Sequence, residues 1–515
     1  MMTIDTGLDN KRIAINMFFS VIVFILNLFI NFFITPYITS NLGSDAYGFV
    51  KLANDFTSYA SLATIALNSM ASRFIMFERE RKSTEAAQRY YSSVTIANFV
   101  LAGLLLIPAV ICIVFLDEFI NIPVALLSEV RLTFFLTFIA FLFNLAFSTF
   151  SNCYYLTNRL DISSICTAVS NIIRVVIIFL LYCLFEPRIS YLVIGSCLST
   201  LFLVAANIYY HRKLTPDLSF NRHAFDGSTV FEVIKSGIWN SITKLSQIFS
   251  SGLDLLVSNI LLGATNMGYL SIAKTVPNII TSFNSTIAST FSPNMMTLYA
   301  QGNIARLKKA SKSAMKFMCL FVTIPNAILI TMGQEFFTLW VPEQPAHLIN
   351  ILSILTVINS CITGPMQPLY QIFTITNKIK QSSIVMIIYG FSSILITVAC
   401  LHLTDWGLYA VAGVSLVGSV IVALCYHLPF SAIYIGLPWY TFFPEIFKGI
   451  ISLIVQCIAG ATVNFFFELE RSWIIWFAGA ILSAIIGLLL NVFVILNSEE
   501  KKILIDTITT KIKKR

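Results

Sequence analysis

Apolar runs of about 20 residues recur along the whole chain and are separated by short polar gaps. A run of this length crosses the hydrocarbon core of a bilayer as an α-helix. We predict spans at 13–38, 47–70, 91–116, 131–156, 162–185, 189–210, 233–262, 267–299, 314–340, 347–374, 383–401, 407–427, 441–467 and 472–496. The pattern therefore predicts an all-α, polytopic integral membrane protein with about 14 transmembrane helices.

The composition supports a membrane protein. Of 515 residues, 57% are hydrophobic and 11% are charged, whereas soluble domains carry about 25% charged residues. The net charge of +8 is spread over the gaps and termini, which favours membrane lipids as partners and predicts no nucleic-acid partner. The ten cysteines lie in or at the ends of apolar runs, so we interpret them as small hydrophobes rather than disulfides or metal ligands.

The polar gaps alternate between basic and nearly charge-free, which predicts the topology. Basic gaps near 71–90, 211–232 and 306–312 belong on the cytoplasmic side by the positive-inside rule. The even number of spans then predicts a multi-pass protein of the bacterial cytoplasmic (inner) membrane with both termini cytoplasmic. The first run is too long for a cleavable signal.

An internal repeat relates the two halves of the chain. Residues 42–49 (LGSDAYGF) resemble 262–269 (LGATNMGY), and 157–165 resemble 376–384, at a shift of about 220. Each half holds six spans and starts on the same side, which predicts two pseudo-twofold-related six-helix lobes with an axis along the membrane normal. Two extra C-terminal helices follow, and Gly479, Ser483 and Gly487 would let the last one pack closely on a neighbour.

These patterns predict five segments. They are an N-lobe with spans 1–6 at 1–212, a cytoplasmic linker at 213–232, a C-lobe with spans 7–12 at 233–430, spans 13 and 14 at 431–497, and a basic amphipathic cytoplasmic tail at 498–515.

Polar residues recur at helical spacing within several spans. Span seven carries Asn240, Lys244, Gln247, Ser251 and Asp254, span one carries Asn27 and Asn31, span two carries Lys51 and Asp55, and span eight carries Lys274 and Asn278. Such faces avoid hydrocarbon. They are either contacts between helices or the walls of a wet cavity between the halves, and the match between the two halves favours the cavity.

Charged residues inside the spans are the strongest functional signal. Arg174 lies about twelve residues into span five, roughly 18 Å deep, where an arginine costs about 2.5–3.5 kcal/mol. Asp254 and Lys274 could form a structural ion pair, as could Arg174 and Asp55. The bases outnumber the acids, which suits an anion such as a phosphate or pyrophosphate. An unpaired aspartate could instead carry a proton or Na⁺.

Motifs for common catalytic chemistry are absent from the sequence. There is no G-x-x-x-x-G-K-[ST], H-E-x-x-H, G-x-S-x-G or G-x-G-x-x-G, and the gaps are short. We therefore expect no catalytic residues, no metal and no cofactor, and we expect a transporter rather than an enzyme.

The two six-span halves, the L-G-x-x-x-x-G-[FY] turn after spans one and seven, and the T-N-[RK] after span four resemble the multidrug/oligosaccharidyl-lipid/polysaccharide (MOP) exporter superfamily. Within it, residues 10–430 are similar to polysaccharide flippases of the Wzx type. The resemblance implies a MATE/MOP-like fold with a cavity between two lobes and alternating access.

The resemblance also implies a substrate and a site. Such relatives translocate undecaprenyl-pyrophosphate-linked oligosaccharides for capsule, O-antigen or exopolysaccharide, with polysaccharide polymerase and glycosyltransferases as partners. The residues that the resemblance implies for binding the pyrophosphate are Arg174, Lys274, Lys244 and Lys51. The polar stripes add Asn27, Asn31, Gln247 and Asn278 as candidate substrate-binding residues, and the charges inside the spans add Asp55 and Asp254 as candidate ion-coupling residues. The alternatives are a cation-coupled MATE-type multidrug exporter, a flippase for lipid II or teichoic-type precursors, a polysaccharide polymerase or ligase, and a membrane scaffold.

Overall fold

The computed structural model describes residues 6–81, 83–157, 159–467 and 469–495. Within these ranges the chain is α-helical and contains no β-strand, which confirms the all-α prediction. The predicted tail at 498–515 lies outside the described residues.

The α-helices are α1 (Thr6–Ala60), α2 (Leu62–Glu80), α3 (Thr84–Val114), α4 (Leu116–Phe119), α5 (Leu127–Ala146), α6 (Asn152–Leu156), α7 (Leu160–Leu184), α8 (Ser190–Leu214), α9 (Gly227–Gln247), α10 (Asp254–Leu262), α11 (Ala264–Ser289), α12 (Ser292–Ala300), α13 (Ile304–Trp340), α14 (Ala346–Thr363), α15 (Tyr370–Ile375), α16 (Ile379–Leu403), α17 (Leu408–Val422), α18 (Leu428–Ile433), α19 (Phe443–Phe466) and α20 (Trp473–Ile495). Short 3-10 helices cover Val124–Leu126, Ser148–Ser151, Arg222–Ala224, Gln367–Leu369 and Leu469–Arg471, and π-helical turns cover Ile248–Gly252 and Ala423–His427.

Twelve segments of the described chain are long and apolar enough to cross a membrane, so the protein is multi-pass and the predicted count of fourteen is approximate. Two features account for the difference. Helix α1 holds the first predicted span and the start of the second, because the chain reverses at Gly43, as the contact between Asn31 and Lys51 requires. Helix α11 is 26 residues long but too polar to count among the twelve.

The chain divides into two compact units. The first contains residues 1–248 and 255–268, and the second contains 249–254 and 269–515.

Small residues allow close helix contacts within the first unit. A Cβ atom at Gly237 on α9 would lie 1.9 Å from the carbonyl oxygen of Ala66 on α2, so the two backbones touch at this point. The apolar core nearby contains Leu67, Val94 and Val233, all fully buried.

Helix α9 begins after Asp226, whose carboxylate accepts hydrogen bonds from the Ser228 hydroxyl, the Thr229 hydroxyl and the Ser228 backbone N–H. These bonds hold the pKa of the Asp226 carboxyl below its ordinary value.

The last helix packs in the second unit as its small residues predict. A Cβ atom at Gly487 on α20 would lie 1.8 Å from Oε1 of Gln456 on α19, and one at Gly479 would lie 2.6 Å from Leu469. Ser483, between the two glycines, is buried. The prediction that this face makes a close helix contact is confirmed.

The repeated L-G-x-x-x-x-G turns have a physical explanation. Their first glycines, Gly43 and Gly263, have φ angles of 86° and 91°, which favour a residue without a side chain. Their second glycines touch each other. A Cβ atom at Gly48 would lie 3.1 Å from the Cα of Gly268, and one at Gly268 would lie 2.5 Å from the carbonyl oxygen of Ser44.

The polar stripe predicted on span seven does not form one continuous face. The π-helical turn Ile248–Gly252 separates α9 from α10. A π-helical turn holds about one more residue than an α-helical turn, which rotates the following side chains by roughly 100° around the axis. Asp254 therefore does not continue the face of Lys244 at the spacing that the sequence pattern assumes.

Candidate functional site

A polar cavity of about 350 Å³ lies inside the first unit, between α1, α5, α7 and α8. Two cations, Lys51 and Arg174, line it. The uncharged polar residues that line it are Asn31, Thr35, Tyr47, Asn54, Thr57, Thr137, Asn144, Ser196 and Thr200. None of the described residues that line it is acidic. We call it the Lys51–Arg174 cavity.

The reversal of α1 at Gly43 brings Lys51 into this cavity. Asn31 and Lys51 would be about 30 Å apart along one straight helix. In the structure, Nζ of Lys51 donates a hydrogen bond to Oδ1 of Asn31 at 3.3 Å. The ammonium group also lies 5.2 Å from the centre of the Tyr47 ring, a cation–π contact. These neighbours are neutral, so they hold the lysine in position without cancelling its charge.

Arg174 lies in the middle of α7 and is partly buried. Its Nε is buried and has no hydrogen-bond partner in the described part of the chain. Arg174 forms no ion pair within the described part of the chain, so the alternative pairing with Asp55 is not formed there. A partly buried guanidinium without a carboxylate is costly, and an anionic ligand would supply the missing acceptor.

A close contact between α7 and α8 positions the backbone of Arg174. A Cβ atom at Gly195 on α8 would lie 2.6 Å from Cγ1 of Ile178 and 3.3 Å from the carbonyl oxygen of Arg174. Only a residue without a side chain allows α8 to approach this closely. Ser196, the next residue, and Thr200, one turn later, then line the cavity.

The second unit holds the predicted pair of Asp254 and Lys274. Nζ of Lys274 donates a hydrogen bond to Oδ2 of Asp254, and each side chain is 15% exposed. The other carboxylate oxygen accepts from the Ser415 hydroxyl at 3.5 Å. The carbonyl oxygen of Ser415 in turn accepts from the Tyr389 hydroxyl at 2.9 Å. This arrangement fits the structural ion pair that the sequence left as an alternative.

The remaining predicted site residues lie outside the Lys51–Arg174 cavity. The Asn27 amide donates to the carbonyl oxygen of Val23 within α1 at 2.9 Å. Lys244 is partly buried on α9, and Gln247 is exposed at its end. Asn278 is exposed on α11, one turn after Lys274. Asp55 is partly buried beside Asn54. The structure thus brings together Arg174, Lys51 and Asn31 of the ten predicted residues, and separately Lys274 with Asp254.

The prediction missed several polar residues of the cavity. They include Thr137 on α5, and Ser196 and Thr200 on α8. Ser196 and Thr200 are four apart, which puts both side chains on one helix face, and this spacing is the signal that could have found them.

The prediction also missed a buried acid in the second unit. Glu445 at the start of α19 is 4% exposed. It forms ion pairs with Lys312 at 3.6 Å and with Lys448 at 3.3 Å. The lysine three residues later could have indicated this cluster from the sequence.

Comparisons with known proteins agree with this architecture. A family model described as "Polysaccharide biosynthesis protein" matches residues 13–299. The uncharacterized membrane protein EpsK of Bacillus subtilis (strain 168) is 28% identical over 413 residues, which cover 80% of this chain and 81% of EpsK.

Two solved structures share the fold. The lipid II flippase MurJ in an inward closed conformation has a TM-score of 0.66 at 16% identity, covering 92% of this chain and 98% of MurJ. An inward-facing multidrug resistance MATE family transporter of the MOP superfamily has a TM-score of 0.59 at 14% identity, covering 83% of this chain and 98% of the transporter. The MATE/MOP-like fold that the resemblance implied is confirmed.

Proposed function

The chain belongs to the polysaccharide biosynthesis protein family, and we propose that it is a flippase for undecaprenyl-pyrophosphate-linked oligosaccharide repeat units. It moves the units of a capsule, O-antigen or exopolysaccharide across the bacterial cytoplasmic membrane by alternating access. In this role it acts after the glycosyltransferases that complete a unit and before the polymerase that joins the units.

The observation that carries the proposal is the unpaired guanidinium of Arg174 in a cavity that it shares with Lys51. Placing an arginine at mid-membrane costs about 2.5–3.5 kcal/mol, and the described residues lining the cavity provide no carboxylate to offset this cost. A pyrophosphate offers several anionic oxygens to the two cations. The uncharged asparagines and hydroxyls beside them suit the hydroxyl groups of a sugar.

The same charge balance disfavours a cation-coupled drug exporter, because two fixed positive charges repel a cationic drug. A flippase for lipid II or a teichoic-type precursor stays closer to the proposal, since those substrates also carry phosphate. The fold shared with MurJ fits either lipid-linked substrate. The two proposals differ in which polymer the cell loses when the chain is removed.

The test is to delete this chain from its bacterial host and to restore it either unchanged or with Arg174 replaced. We expect Arg174→Ala to abolish surface polysaccharide while the protein still inserts, and Arg174→Lys to retain part of it because the charge remains. Arg222→Ala is the matched control, since this exposed arginine lies outside the cavity. Surface polysaccharide is measured by immunostaining, and protein level by blotting the membrane fraction.

Full surface polysaccharide with Arg174→Ala would refute the role of the cavity. Unchanged polysaccharide together with loss of drug resistance in a deletion strain would support the exporter alternative instead. Loss of peptidoglycan or teichoic acid synthesis without loss of another polysaccharide would identify the precursor flippase.

A further inference from the structure

A second cavity lies in the first unit at the end of α8, and it shares no lining residue with the Lys51–Arg174 cavity. Its volume is about 500 Å³. It is formed by α3, the 3-10 helix Ser148–Ser151, the last turn of α8 and the loop that follows. The lining residues that matter below are Tyr91, Phe99, Phe150, His211, Arg212 and Phe220.

Three packed rings form one wall of this cavity. The His211 ring stacks on Tyr91 at 4.8 Å between centres and 6° between planes, and Phe150 meets His211 edge-on at 5.2 Å. Nε2 of His211 lies 2.9 Å from the carbonyl oxygen of Leu218. A carbonyl oxygen can only accept, so Nε2 carries the proton. This bond ties the loop after α8 to the helix.

The loop is also fixed to α3, so the cavity has its shape without a ligand. The Gln88 amide donates to the Ser219 hydroxyl at 3.1 Å, and the backbone N–H of Asn221 donates to the Ser92 hydroxyl at 3.2 Å. A largely preformed cavity is typical of a binding site.

The lining combines one cation with exposed apolar rings. Arg212 is exposed, and its side chain makes no hydrogen bond or ion pair with the described residues. Phe99 is 42% exposed and Phe220 is 52% exposed. Arg212 belongs to the basic last turn of α8, with His211 and Lys213. Basic residues at the end of a span lie at the level of the lipid headgroups.

Tyr91, which lines the cavity, carries a polar group that lacks a partner. The hydroxyl of Tyr91, whose residue is 1% exposed, has no hydrogen-bond partner among the described residues. A buried hydroxyl without a partner is unfavourable, and a phosphate oxygen that enters the cavity would accept from it.

We propose that this cavity binds an anionic phospholipid, with the phosphate between Arg212 and the Tyr91 hydroxyl and a hydrocarbon chain against Phe99 and Phe220. The exposed phenylalanines favour a lipid over a soluble anion, because a free phosphate gains nothing from apolar rings. The arginine favours an anionic headgroup over a choline headgroup, whose ammonium it repels. The proposal is independent of the substrate of the Lys51–Arg174 cavity.

The experiment titrates the purified full chain in detergent with dioleoylphosphatidylglycerol or dioleoylphosphatidylcholine and counts bound lipids by native mass spectrometry. We expect the phosphatidylglycerol to bind at least about tenfold more tightly. Arg212→Gln should remove this preference. Lys213→Gln is the matched control, since this exposed neighbour does not line the cavity, and its effect should stay within the about fivefold expected for one charge near an anionic surface.

Tyr91→Phe tests the cavity without changing charge and should weaken phosphatidylglycerol binding by about fivefold, the typical value of one hydrogen bond. If that variant does not fold, Phe220→Ala on the exposed rim should weaken binding of the same lipid. Equal binding of the two lipids, or equal effects of Arg212→Gln and Lys213→Gln, would overturn the proposal. Displacement of the lipid by millimolar inorganic phosphate would instead identify a site for a soluble anion.

Discussion

Asp254 and Lys274 form an ion pair within the second unit, with each side chain 15% exposed. They lie on opposite sides of Gly263, whose φ of 91° marks the turn between α10 and α11. The two charges neutralise each other at a position where either charge alone would be costly.

The pair predicts a specific pattern of stability. Asp254→Asn and Lys274→Met should each destabilise the protein by about 3 kcal/mol, because each leaves one poorly solvated charge without its partner. The double variant should recover most of this loss. The measurement is unfolding of the purified protein by SDS in mixed micelles. Additive losses in the double variant would show that the two residues do not stabilise the fold as a pair.

The same double variant tests whether Asp254 couples transport to an ion. A structural pair predicts that the stable double variant still supports polysaccharide export. A coupling role predicts a stable protein that no longer transports, because no carboxylate remains to take up a proton or Na⁺ at this position.

A methyl group at position 195 should push against α7 and so disturb the Lys51–Arg174 cavity. Gly195→Ala places a Cβ atom 2.6 Å from Ile178, and overpacking of this kind costs about 1–3 kcal/mol. Ile178→Ala should relieve the clash in the double variant. Gly103→Ala on α3 is the control, since nothing lies within 4 Å of its Cβ position. Equal unfolding curves for Gly195→Ala and Gly103→Ala would contradict the close contact.

A buried amide pair in the first unit should contribute to stability. The amides of Asn68 and Asn98 donate to each other at 2.9 Å, and Asn98 also donates to the Ser148 and Thr149 hydroxyls. Asn98→Leu removes these bonds and should destabilise by about 1–2 kcal/mol, since single hydrogen bonds in membrane proteins average about 0.6 kcal/mol. Thermal unfolding in detergent measures the loss, and an unchanged midpoint would contradict it.

Lys51 should contribute to substrate binding in the Lys51–Arg174 cavity. Lys51→Met removes one of its two charges and should weaken binding of a lipid-linked oligosaccharide by about tenfold or more, the value of a hydrogen bond to a charged group. Lys448→Met in the second unit is the control, because this lysine pairs with Glu445 and does not line the cavity. Binding is measured with a fluorescent substrate in detergent. Equal affinities in the two variants would exclude Lys51 from the site.

The sequence predicted the helices and the turns well because length, hydropathy and glycine are local signals. The repeat at a shift of 220 pointed to Gly43 and Gly263, and both glycines have the backbone conformation that such turns need. The polar stripe of span seven was less successful, since a π-helical turn at Ile248–Gly252 changes the helical phase and leaves no clear mark in the residue pattern.

The candidate site was harder to predict because it depends on which helices are neighbours. The position of Arg174 deep in its predicted span identified it as a candidate site residue. Lys51 and Asn31 were identified by the helical spacing of the polar residues in their spans. That all three line one cavity inside the first unit follows from the reversal of α1 and from the approach of α8 at Gly195. The spacing of Glu445 and Lys448 could indicate an ion pair, but the burial of Glu445 and its contact with Lys312 depend on helix packing that the sequence does not show.

The contact between Gly48 and Gly268 has a consequence for how this sequence can change. The two glycines occupy equivalent places in the duplicated turns, and a Cβ atom at either one would meet the backbone of the other turn, at Gly268 for Gly48 and at Ser44 for Gly268. A larger side chain in one turn cannot be accommodated by changes within that turn, because it would collide with the backbone of the duplicate turn. We therefore expect these two positions to have kept the same residue while the sequences around them diverged.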